Sequence, residues 1–110
     1  MANTKLPLSH LNVKGFDDLI GAEQITIGDN SETLATSGAT IPSGTQRIIC
    51  LATEAMHWNP VSTATATFAH AVSVNHFFVI EKNHIATAQI FTDDSSDQTM
   101  VVMYFGHWNP

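Results

Sequence analysis

The sequence predicts an all-β protein, an antiparallel β-sandwich or jelly-roll-like barrel preceded by an irregular N-terminal arm. Three observations predict it. Apolar runs rich in Val, Ile, Thr and Phe recur at roughly the 8–12-residue spacing of short antiparallel strands. Clusters of Gly, Asn, Asp, Ser and Pro stand between them, residues that accept turn dihedrals or bond their own backbone. Several runs alternate with period two, the signature of a strand with two different faces.

Residues 1–22 read as the arm. Pro7, Gly15 and Gly21 punctuate it, and Phe16-Asp17-Asp18-Leu19-Ile20 has the pattern of one helical turn. The sandwich domain is assigned to 23–110. Gln24-Ile25-Thr26-Ile27 alternates and meets the turn cluster Gly28-Asp29-Asn30-Ser31; Glu32 to Thr36 is a weaker strand. Ile41-Pro42-Ser43-Gly44-Thr45 is a second turn, and Arg47 to Thr53 a strongly apolar strand. Val61 to Phe68 predicts a strand with Val61, Thr63, Thr65 and Thr67 on one face and Ser62, Ala64, Ala66 and Phe68 on the other. Phe77 to Glu81, His84 to Thr92 and Thr99 to Phe105 complete the set, with Lys82-Asn83 as a hairpin turn and Asp93 to Asp97 as an acidic loop. β-Branched residues dominate the apolar runs, which argues against helix.

At 110 residues the chain is one domain's length. Charged residues are 13% of it, about half the typical ~25%. Polarity is carried by Thr, Ser, Asn and Gln, whose neutral groups cost less to bury than ions; such a surface suits packing against partners. Four basic residues against ten acidic ones give a net charge of −6. Phosphate contacts require Lys and Arg in numbers, so nucleic acid and anionic membrane surfaces are excluded as expected partners. No run approaches the ~18 apolar residues that span a bilayer. The first residues carry no long apolar core of a signal peptide, so synthesis in a cytoplasm is the expectation. The lone Cys50, within Ile48-Ile49-Cys50-Leu51, has no disulfide or zinc-type spacing and reads as a small buried side chain.

His57-Trp58-Asn59-Pro60 recurs as His107-Trp108-Asn109-Pro110. Each copy follows an apolar strand. Three readings stand: a strand cap in which Trp plugs and Asn-Pro turns the chain, a contact surface presenting Trp58 or Trp108, or a remnant of half-domain duplication. The six histidines, His10, His57, His70, His76, His84 and His107, show no His-x-His or His-Glu-x-x-His spacing. On one unbroken strand His70 and His76 stand about 20 Å apart, too far to share a metal. Asp93, Asp94 and Asp97 lack the Asp-x-Asp-x-Asp-Gly spacing of a calcium loop and read as solvated turn residues. None of the Gly-x-Ser-x-Gly, Gly-x-x-x-x-Gly-Lys or Gly-x-Gly-x-x-Gly patterns occurs. Glu54 and Glu81 are the only carboxylates in or beside strong strands. No enzymatic activity, cofactor or metal is expected.

Ala39-Thr40-Ile41-Pro42-Ser43-Gly44-Thr45, then Ile48-Ile49-Cys50-Leu51-Ala52-Thr53-Glu54, then Met56-His57-Trp58, resembles small tailed-phage virion proteins of the capsid decoration (cement) type. Pro60-Val61-Ser62-Thr63 and Val101-Val102-Met103-Tyr104-Phe105 occupy the later places of that layout, which covers about residues 23–106. Where those proteins carry an Arg-Asp-Asp-Gly loop, this chain has Asn59-Pro60. The resemblance implies a β-sandwich or jelly-roll on the virion surface, a homotrimer that binds the major capsid protein, bridges its subunits and stabilises the assembled shell. Leu6, Leu8 and Phe16 of the arm, with Trp58 and Trp108, are the expected interface residues. The alternative expectation is a carbohydrate- or receptor-binding β-module of a phage tail or fibre, with a Trp as stacking platform.

Overall fold

The computed structural model describes residues 18–65, 69–93 and 96–107. Its strands are β1 (Asp18–Ile27), β2 (Glu32–Thr33), β3 (Thr45–Ala52), β4 (Met56–Asn59), β5 (His70–Val72), β6 (Phe77–Glu81), β7 (Gln89–Thr92) and β8 (Gln98–Gly106). They form two four-stranded sheets of order β1-β8-β3-β6 and β2-β7-β4-β5. Every pairing is antiparallel. The pairs β1·β8, β2·β7, β3·β6 and β4·β5 are those of one long hairpin; β8·β3 and β7·β4 complete the sheets. This is the strand order of a jelly roll. Both sheets are open, so the architecture is a sandwich and not a closed barrel. Among the described strands β1 and β6 are the edges of one sheet, β2 and β5 of the other.

Alternation builds the core. Ile25 and Ile27, Ile48, Cys50 and Ala52, Phe78 and Ile80, and Met100, Val102 and Tyr104 are buried from the first sheet. Met56, Ile90 and Val72 face them from the second, with Leu34 and Ala88 closing the ends. Cys50 is a buried free thiol, as expected.

Five expectations change. Strand β1 begins at Asp18, so residues 18–22 are strand where an arm and a helical turn were expected. The register shifts between Leu19 and Gly21; a Cβ at Gly21 would lie 3.2 Å from the Pro42 ring, a tight contact that glycine avoids. Strand β2 stops at Thr33, because the backbone closes into a turn through Ser37 N–H to Thr33 O (3.0 Å) and Ala39 N–H to Leu34 O (3.0 Å). Gly38, at φ 102°, supplies the left-handed residue that this turn needs.

The Val61–Phe68 strand is also absent over 61–64; residues 66–68 lie outside the described ones. Its N–H groups are taken by side chains: Val61 and Ser62 donate to Asn59 Oδ1 (3.0 and 3.1 Å), and Ala64 donates to Ser31 Oγ (2.9 Å). The strand that pairs with β4 is instead β5. Finally, Lys82-Asn83 does not turn a hairpin. Lys82–His84 is a 3-10 turn that carries the chain from β6 to β7, in the opposite sheet. The expected His84–Thr92 strand is shortened to β7, since Ala88 N–H bonds His84 O at 2.8 Å.

Candidate functional site: an aromatic groove between two free edges

Strands β5 and β6 are edge strands among the described residues, and residues 73–76 join them. That turn is pinned to the end of β3: Asn75 N–H bonds Ala52 O at 2.9 Å, and Ala52 N–H bonds His76 O at 3.0 Å. Asn75 sits at φ 63°, a conformation that Asn tolerates better than most residues. The turn brings His70 and His76 to the rim of one groove, where an unbroken strand would have separated them.

The groove has a volume of about 360 Å³ and is lined by Trp58, His70, Val72, His76, Phe77 and Phe78, among others. Trp58 lies on the same face of β4 as buried Met56 and packs against the core. Its indole stacks on Phe78 of the opposite sheet (ring centroids 4.8 Å apart, 21° between planes) and meets His70 of β5 at 5.4 Å. It therefore closes the gap between the sheets, and the stack itself is worth about 0.5–1.5 kcal/mol beyond burial. Phe77 is 64% exposed and Val74 of the turn 45% exposed. Among the described residues the groove lining contains no carboxylate and no Lys or Arg; its polar side-chain groups are indole, imidazole and hydroxyl. Such a surface suits apolar side chains bordered by neutral hydrogen-bonding groups.

Of the interface residues expected from sequence, Trp58 is in this groove. Leu6, Leu8, Phe16 and Trp108 lie outside the described residues. The first His-Trp-Asn-Pro copy follows β3 as expected but does not cap a strand, since His57, Trp58 and Asn59 are themselves within β4. The Asn-Pro turn is present in the first copy, through the Asn59 side chain. Of the second copy, His107 is described, and its N–H bonds Gly44 O at 3.2 Å. Phe77 and Phe78 were missed as site residues. Adjacent phenylalanines in an alternating strand must face opposite ways, and that signal was available.

A second depression, of about 290 Å³, is bordered by Glu54, Ala55, Thr92 and Asp93. Beside it His57 stacks on its cross-strand neighbour Phe91 (5.1 Å, 17°). Its Nδ1 lies 3.4 Å from Asp93 Oδ2 and makes no hydrogen bond. Asp94 is outside the described residues, and among the described residues no three His, Cys, Asp or Glu side chains are grouped to hold a metal. Glu81 is paired with Arg47 (3.4 Å). Tyr104 donates to Glu23, whose carboxylate also accepts Thr40 N–H at 2.8 Å. Burial, and then this bond, push the Tyr104 phenol well above its ordinary range. Burial likewise pushes up the Cys50 thiol, which holds it in the neutral form.

No protein-family model matches the sequence, and no characterised protein or solved structure matches it. The likeness to phage decoration proteins therefore rests on the short sequence motifs alone.

Proposed function

We propose that this chain is a virion structural protein of the capsid decoration type, which binds the assembled phage shell from outside and bridges subunits of the major capsid protein. The observation that carries this reading is the groove: an aromatic surface with Phe77 exposed and no carboxylate, Lys or Arg among its described residues, set between two edge strands of a charge-poor sandwich. Exposed aromatic rings and unpaired edges are features of contact surfaces. A protein that binds only the assembled shell stabilises it by RT ln(1 + [L]/Kd), so many weak copies suffice. The homotrimer and the virion surface as location are parts of the same proposal.

The carbohydrate-binding alternative is less well supported. A sugar platform needs an open indole face, and Trp58 is engaged by Phe78 and His70. Co-sedimentation with empty shells of the cognate major capsid protein tests the proposal. Saturable binding to shells, absent with unassembled capsid subunits, is expected; equal recovery with and without shells would contradict it.

A further inference from the structure

We propose that the groove between β5 and β6 receives residues 1–17 of a second copy of this chain, so that copies link head to tail. The acceptor is defined by geometry. Two neighbouring edge strands offer backbone groups with no partner strand among the described residues, and Phe77 and Val74 stand exposed beside a groove lined by Trp58 and Phe78. A peptide added to such an edge gains main-chain hydrogen bonds, while alternate side chains enter the groove.

The occupant is indicated by chemistry and placement. Residues 1–17 contain Leu6, Leu8, Leu11, Val13 and Phe16. Leu6 and Leu8, like Leu11 and Val13, are two apart, the spacing that sends both side chains of a pair to one face of an added strand. The segment also carries Lys5 and Lys14 of the chain's four cations, but only Asp17 of its ten acids. The remainder is strongly acidic, so the segment and the body attract. At roughly 3.3 Å per residue its reach is at most about 56 Å, enough to cross to a neighbouring domain.

The register sets the start of β1 apart from the groove of its own domain. Asp18 pairs with Gly106, which faces Thr45, whereas Phe77 pairs with Leu51 toward the other end of β3. Strands β1 and β6 are opposite edges of that sheet. The segment therefore leaves the domain at the corner diagonal to the groove. Donor and acceptor on different surfaces make a heterologous contact, which closes into a ring when the rotation permits. A trimer is such a ring.

Complementation in the full-length chain tests this without shells, so its failure is separable from that of the decoration reading. Leu6→Ser/Leu8→Ser removes the donor and keeps the groove; Phe77→Ser alters the groove at an exposed ring and keeps the donor. Circular dichroism and thermal melting establish that both variants fold. Light scattering is expected to show a closed oligomer for the parent chain and association weaker by roughly 100-fold or more for each variant, the scale of losing one or two buried apolar side chains. An equimolar mixture of the variants should restore a dimer, since one intact donor then meets one intact groove. In a Trp108→Phe background, Trp58 emission should change on mixing. A monomeric parent, variants that associate like the parent, or a mixture that stays monomeric would each overturn the proposal. A monomeric parent whose Trp58 emission responds to Leu6→Ser/Leu8→Ser would place the segment in its own groove, and would overturn it too.

Discussion

Asn59 shows how one side chain redirects a segment. It is buried at the end of β4, and its Oδ1 accepts the N–H groups of both Val61 and Ser62. Residues 61 and 62 are thereby taken out of the strand that the alternating pattern predicts. Asn59→Ala removes the acceptor of two N–H groups in a part-buried turn, which costs about 0.5–1.5 kcal/mol. The expected outcome is a lower urea midpoint at unchanged m-value. Cys50 and Tyr104 set a second, pH-dependent effect. Both have folded-state pKa values raised, chiefly by burial, from ordinary values of 9.0 and 10.0. The unfolded chain therefore releases these protons at lower pH than the folded one. Their contribution to stability is full below pH 9 and falls as pH rises through the unfolded and then the folded values. Urea midpoints measured from pH 8 upward should decline beginning near pH 9. In Cys50→Ala, which abolishes the thiol's share, the decline should begin about one pH unit later.

Among the elements, the strands legible in the sequence were those with long apolar alternation. Arg47–Thr53, Phe77–Glu81 and Thr99–Phe105 correspond to β3, β6 and β8 within a residue or two, because both their pairing and their burial favour the same pattern. Strand β5 was illegible: His70-Ala71-Val72 is three residues on an edge and buries only Val72. The turn at Lys82 was legible as a turn. Its destination was not, since whether β7 returns beside β6 or crosses to the other sheet is set by long-range pairing with β4 and β2. The groove was half legible, through Trp58, because bringing His70, His76 and Phe77 together depends on that same topology. Gly106 offers a test of the β3–β8 junction. A Cβ there would lie 2.2 Å from Gly44 O, which is backbone and cannot swing away. Gly106→Ala should destabilise by about 1–3 kcal/mol, the usual cost of overpacking, whereas Gly28→Ala, which meets only the Asp97 side chain at 3.3 Å, should cost less. Thermal melting of the two variants checks the order.

At the scale of the whole molecule, the jelly roll leaves an edge strand of each sheet beside an aromatic groove on one flank. The charge distribution is consistent with association through neutral surface, because desolvating hydroxyls and aromatic rings costs less than desolvating ions. The proposed role is thermodynamic: ligand bound to the assembled shell, and absent from the disassembled one, holds the shell together. Calorimetry of empty shells with increasing free protein measures this most directly. The account predicts that the shell's disassembly temperature rises steadily with the logarithm of free protein above Kd, and that Phe77→Ser loses most of the shift. A disassembly temperature unchanged at saturating protein would contradict it.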